Sequence, residues 1–146
     1  MIALASQFAP DSGPAPAASL TGPGFVTGGA RLILRLEGFA AFAAALGFYA
    51  YGGFSWPAFA LFFLSPDLAM LAYLAGPRIG AAGYNLVHTY VLALALVLAG
   101  FFGGLPLATA GGLIWIAHIG FDRALGFGLK YPTGFGDTHL GRTGKH

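Results

Sequence analysis

From Leu32 onward the chain alternates long apolar runs with short glycine-centred breaks. The runs extend from Leu32 to Tyr51, Trp56 to Ala75, Ile79 to Phe101 and Leu105 to Phe127, and the breaks fall at Gly52-Gly53, Gly76-Pro77 and Gly103-Gly104. A hydrocarbon layer about 30 Å thick is crossed by about 20 helical residues rising 1.5 Å each, and every run meets that length. The pattern predicts four transmembrane helices, and connections this short force antiparallel neighbours. The expected fold is an all-α integral membrane four-helix bundle over residues 31–128. It is preceded by a disordered Pro/Gly/Ala-rich tail, residues 1–30, and followed by an interfacial cytoplasmic segment, residues 129–146.

Composition strengthens this reading. Hydrophobic residues make up 57% of the 146-residue chain and charged ones 8%, too little polar surface for a soluble domain of this size. The net charge is +2, carried by a few clustered Lys and Arg around a nearly neutral body, so a nucleic-acid-binding surface is not expected. Without cysteine, disulfides and thiolate metal sites are excluded. The first thirty residues hold no Lys or Arg and are interrupted by proline, unlike a signal peptide. The first membrane helix is therefore expected to serve as the targeting signal.

Positive charge sets the expected orientation. Arg31 and Arg35 open the first run, Arg78 lies between the second and third, and Lys130, Arg142 and Lys145 follow the fourth, while the other two connections carry none. Cytoplasmic loops collect Lys and Arg, so both termini are expected inside the cell, in a plasma (inner) membrane, with Trp56 at the outer interface.

Ionisable groups within a span cost about 2.5–3.5 kcal/mol each on insertion scales and call for a partner or a task. Counted along the helix from the cytoplasmic ends, Glu37 lies about 9 Å deep, Asp67 about 13 Å, and His88 and Asp122 about 12 Å. His118 stands four residues before Asp122 on the same helical face, and Tyr84, Asn85 and His88 share a face of the third run. This agreement in depth predicts one cytoplasm-facing pocket built from Glu37, Asp67, Tyr84, Asn85, His88, His118, Asp122 and Arg123, with Thr138 and His139 covering its mouth. The outer halves hold nothing ionisable, which argues against a conducting path through the membrane.

Two chemistries fit such a pocket. His88, His118, Asp122 and Asp67, with Glu37 as a further carboxylate, suit a divalent metal such as zinc, iron or manganese, whose bound water attacks a lipid or other hydrophobic substrate. The same groups also suit a structural network in which His118 bonds Asp122 and Arg123 pairs with Asp67 or Glu37. The corresponding functions are a small membrane enzyme, an accessory subunit of a larger membrane complex, or a hydrophobic-cofactor binder using His88 or His118 as an axial ligand. Transport is a further option and requires a dimer. Pro66 beside Asp67 predicts a kink or a freed carbonyl that shapes a cavity.

The stretches Arg35-Leu36-Glu37-Gly38, Pro66-Asp67 through Pro77-Arg78, Tyr84-Asn85-Leu86-Val87-His88-Thr89-Tyr90 and His118-Ile119-Gly120-Phe121-Asp122-Arg123-Ala124-Leu125-Gly126 resemble the domain-of-unknown-function-4260 family of bacterial membrane proteins. The tail through Thr138-His139-Leu140-Gly141 matches as well, so the resemblance covers nearly everything from Leu32 to Arg142. It implies a small helical membrane protein and carries no activity with it.

Overall fold

The structure is a computed structural model, and it describes residues 24–143. The expected tail at residues 1–23 and the final residues 144–146 lie outside the described range. The chain forms four helical rods. The first is α1 (Gly28–Tyr51), which begins three residues before the boundary expected at Arg31. The second joins α2 (Trp56–Phe62) to a 3-10 segment (Ser65–Ala75). The third joins α3 (Pro77–Val87) to α4 (Tyr90–Phe102), and the fourth is α5 (Pro106–Leu125).

Three rods, Gly28–Tyr51, Trp56–Ala75 and Pro77–Phe102, are long and apolar enough to cross a membrane by length and composition. The fourth expected span is not among them. Its 20 residues include His118, Asp122 and Arg123, and it is the rod with the most buried residues, so its polar groups face protein. The outside is apolar: Leu74 and Leu107 are 89% and 87% exposed. Among the described residues large apolar side chains are exposed on all four rods, more than soluble monomers usually leave bare.

Small residues bring the rods together. Gly38 of α1 meets Gly120, Arg123 and Ala124 of α5, while Gly120 meets Phe42 one turn further along α1. On another side of α5, Gly112 abuts Ala93 and Val97 of α4, and Gly100 abuts Thr109. Gly80 and Gly83 of α3 receive Tyr73 and Ala72 of the 3-10 segment. In each pair the numbers rise along one rod as they fall along the other. Close approach of backbones through glycine is how helices associate when apolar surroundings give burial no advantage.

Both middle rods break. The second turns at Phe63-Leu64, before Ser65-Pro66, because proline has no N–H to continue the α-helical ladder. The third breaks at His88-Thr89, where α3 stops and α4 restarts with Thr89 extended at φ −97° and ψ 143°. The break frees carbonyls, and α5 answers two of them: Trp115 Nε1 donates to Val87 O at 2.6 Å and Arg123 donates to His88 O at 3.1 Å.

After α5 the chain ends its helix at Gly126, whose φ of 99° is left-handed. The following residues are folded: β1 (Asp137–Thr138) pairs with β2 (Gly141–Arg142) as an antiparallel hairpin, and Lys130 pairs with Thr138. Leu140 is completely buried beneath it. The stretch before α1 docks here too, Val26 N donating to His139 O and Tyr131 Oη to Gly24 O.

These contacts make a sharp prediction about α5. A Cβ on Gly120 would stand 2.6 Å from the Phe42 backbone nitrogen and 2.7 Å from Gly38 O, whereas Gly47 on the same α1 faces open space. Gly120→Val is expected to cost about 1–3 kcal/mol by overpacking, and Gly47→Ala close to nothing, in reversible unfolding in detergent. Equal behaviour of the two variants would dismiss the packing described.

Candidate functional site

His88 is the C-cap of α3, placed where the third rod breaks. Its ring stacks on Tyr84 at a centroid separation of 3.6 Å, and its Nδ1 lies 3.0 Å from Tyr84 O. A carbonyl can only accept, so the His88 proton sits on Nδ1 and the lone pair of Nε2 points inward. His118, on α5, brings its own Nε2 to 3.2 Å from that atom and packs edge-on against Phe63. Both imidazoles are buried.

Two carboxylates complete the group. Asp67, in the first turn of the 3-10 segment, places Oδ1 3.4 Å from His88 Nε2 and 3.5 Å from His118 Nε2. Asp122, one turn after His118 on α5, places Oδ2 3.7 Å from both. Tyr84 Oη donates to the same Asp122 oxygen at 3.2 Å. The four donor atoms all lie within 4.8 Å of one another.

These separations favour coordination over hydrogen bonding. N–H···O bonds centre on about 2.9–3.0 Å, shorter than any imidazole–carboxylate distance in the cluster. A tetrahedron of ligands 2.0–2.2 Å from a central ion has six edges of about 3.3–3.6 Å; five of the six run from 3.2 to 3.7 Å, and the sixth, between the two carboxylates, lies within 4.8 Å. Two carboxylates also neutralise a divalent cation, which suits the low dielectric of the site. A planar macrocycle does not fit on either Nε2, because the other stands 3.2 Å away. The axial-ligand expectation is therefore set aside. The Nδ1 of His118 is buried without a hydrogen-bond partner, and Trp115 and Arg123 are spent on the carbonyls of the break.

Several expected members lie elsewhere. Glu37 is exposed and lines a separate small pocket with Leu34, Gly38, Tyr90, Arg123 and His139. The cause is angular: Gly120 faces α1, and His118 and Asp122, each two residues and thus about 200° away, point to the far side of α5. Equal depth along a helix therefore did not bring Glu37 to the cluster. His139 joins that second pocket rather than the cluster's mouth. Its Nδ1 accepts from Leu129 N at 2.8 Å, and burial beside Arg123 holds its pKa below the ordinary histidine value. Arg123 forms no ion pair with Asp67 or Glu37, donating instead to His88 O and Phe127 O. Thr138 is buried in the hairpin, donating to Gly141 O at 2.6 Å.

Asn85 ties the chain that follows α5 to α3. Its amide donates to Lys130 O at 2.9 Å and accepts from Lys130 N at 2.7 Å, so one side chain pairs with the backbone as a strand would. The Lys130 ammonium then lies 4.8 Å from the Tyr84 ring and 3.6 Å from the Phe135 ring, and donates to Phe135 O. Burial lowers its pKa, against the opposing pull of Asp122 and Asp67. Lys130 and Tyr90 were absent from the expected site; the only hint of them in the sequence is that Lys130 follows the fourth predicted run and Tyr90 lies inside the third, two residues after His88.

Fold and site together define a small helical protein with span-length apolar rods and a cluster of two buried histidines and two half-buried aspartates. Residues 31–143 match the family described as Domain of unknown function (DUF4260), and the chain belongs to that family. The matched range contains every residue of the cluster and of the hairpin. No curated protein and no solved structure matches the chain.

The hairpin generates a pH prediction. Hydrogen bonds from Arg142 Nε at 2.8 Å and Thr133 Oγ1 at 2.8 Å favour ionised Asp137 and hold its carboxyl below the usual carboxylate range. The stability so gained is present above the unfolded value of about 3.9 and lost as pH falls through the lowered folded value. Arg142→Ala is expected to move that loss to higher pH, read from hydrogen exchange of the Thr143 amide, which is bonded to Gly136 O. Superimposable profiles for variant and parent would remove Asp137 from the account.

Proposed function

We propose that this protein is an antiparallel four-helix membrane protein whose Asp67, His88, His118 and Asp122 hold one divalent metal ion, and that the metal serves an enzyme acting on a lipid or other hydrophobic molecule. The observation that carries the metal is the convergence of four donor atoms within 4.8 Å of one another, two of them imidazole nitrogens. Mixed nitrogen and oxygen donors suit zinc, iron or manganese, and a set of four such donors favours zinc among them.

A hydrophobic substrate is supported by the cavity next to the cluster. It has a volume of about 600 Å³ and is lined largely by apolar and aromatic groups, among them Phe62, Leu96, Ile114 and Trp115. Pro66 and Val87 also line it, and their sequence neighbours are the ligands Asp67 and His88. Volumes of about 300–1,000 Å³ with apolar walls are typical of small-molecule sites.

Four protein ligands close a zinc site, whereas catalysis requires an open position. Asp67 is the ligand placed to yield, since its side chain is 31% exposed and it sits on the 3-10 segment beside the break in the second rod. When bound, the metal would supply Lewis acidity and an activated water. The chain's own part is to fix His88 through Tyr84, to hold Asp122 by the Tyr84 hydroxyl, and to shield the cluster with the Lys130 segment. An accessory role in a larger complex would use the same residues as a metal-free network and is separated by the same measurement.

Elemental analysis of protein purified in detergent is expected to give about one metal ion per chain, falling at least about tenfold in His118→Ala and Asp122→Asn, while Glu37→Gln retains it. Metal-free parent protein of undiminished stability would eliminate the metal centre. Orientation is tested separately: the basic connections are proposed to face the cytoplasm of a bacterial inner-membrane protein. Single cysteines replacing Gly53 or Gly104 are then expected to react with a membrane-impermeant maleimide from outside intact cells, and one replacing Gly134 to be protected until the cells are lysed. The reverse pattern would invert the topology.

A further inference from the structure

A second polar pocket lies on the other side of α5, framed by Leu34, Glu37 and Gly38 of α1, Tyr90 at the start of α4, Arg123 of α5 and His139 of the hairpin, with a volume of about 130 Å³. Its polar groups are mostly donors. The Tyr90 hydroxyl is buried and makes no hydrogen bond. Arg123 bonds only the carbonyls of His88 and Phe127, both neutral acceptors. His139 accepts at Nδ1 from the Leu129 N–H, so its neutral ring carries its proton on Nε2, as a donor.

Glu37 lines this corner and Asp122 lies next to Arg123 in the chain, but neither carboxylate is bonded to Arg123, and Arg31, Arg35 and Arg123 together outnumber them. Among the described residues the Arg–carboxylate ion pair is that of Arg142 with Asp137, and Glu37 lies exposed at the rim without an ion pair. Arg31 and Arg35 stand beside the same junction: Arg35 Nε donates to Ala124 O at 2.8 Å, and the Arg31 guanidinium lies against Gly126 and Gly141. A residue with an unpartnered hydroxyl, a guanidinium and an imidazole N–H, all lining one small space, are the components of an oxyanion site.

We propose that Tyr90, Arg123 and His139 bind the phosphate group of a phospholipid headgroup at the inner membrane interface. A phosphodiester carries a single charge, which Arg123 matches, and Glu37 at the rim is placed to accept from the ammonium or hydroxyl that such headgroups carry. The pocket shares no ligand with the metal cluster, so the inference stands or falls apart from the metal reading.

The test measures binding to the full chain in dodecyl maltoside, which contains no phosphate, with short-chain phosphatidylethanolamine and inorganic phosphate as separate probes. The lipid is expected to raise the melting temperature saturably. Tyr90→Phe, which removes only the unpartnered hydroxyl, and His139→Ala are each expected to weaken its apparent affinity at least about tenfold, as loss of a hydrogen bond to a charged group does. Glu37→Gln is expected to weaken the ethanolamine lipid while leaving inorganic phosphate unaffected. A saturable response to inorganic phosphate alone, sensitive to Tyr90→Phe, would overturn the lipid source and leave a soluble phosphate as occupant. No response to either probe, or responses that the variants do not change, would overturn the site itself.

Discussion

The structure depends on how a broken helix satisfies its backbone away from water. When the third rod stops at Val87 and restarts at Tyr90, the carbonyls of Val87 and His88 lose their helical partners. An unpaired buried carbonyl costs about 1–3 kcal/mol, and in apolar surroundings there is no solvent to take over. Trp115 and Arg123 supply the missing donors from α5. The same two bonds fix His88 against His118, so backbone satisfaction and site assembly are one event. Arg123 explains its place in an apolar helix this way, without a carboxylate partner.

Helix α5 organises the remainder because its faces have different jobs. Gly120 lets α1 approach, Gly112 lets α4 approach, and His118 and Asp122 look toward the two broken rods. The second and third rods can contribute ligands because their breaks turn Asp67 and His88 toward α5 at the level where it carries its own. The unbroken α1 contributes none. Beyond the cluster, the aromatic chain of Tyr49, Trp56, Phe59 and Phe63 runs from the Gly52-Gly53 turn to His118, packing ring on ring at 5.2–5.5 Å. The cavity lies along this wall, sharing Tyr49 with it.

The four rods were legible because apolar run length and glycine breaks are read directly from sequence, and the calculated depths did bring Asp67, His88, His118 and Asp122 together. What failed was azimuth. Glu37 has the right depth, yet Gly38 beside it and Gly120 between the two α5 ligands show, once paired, that α1 packs on the opposite face. The partner of Arg123 was not legible, because it is a backbone carbonyl exposed by a break that the sequence marks only weakly at His88-Thr89. The fold of the hairpin, and hence the positions of Lys130 and His139, rests on long-range pairing with Asn85, Leu129 and Val26 that no local pattern encodes.

The bond between Asn85 and the Lys130 backbone has a consequence for biogenesis. Asp67 and His88 leave the ribosome before His118 and Asp122 exist, and at 5–20 residues per second the interval between His88 and Asp122 is roughly 2–7 s. During that time an aspartate and a histidine on broken rods have no mates, and the segment that Asn85 will bind is not yet translated. The nascent chain therefore passes through a stage with bare polar groups, and whatever guards it then, whether insertion machinery or water, must be displaced as residues 127–143 fold back.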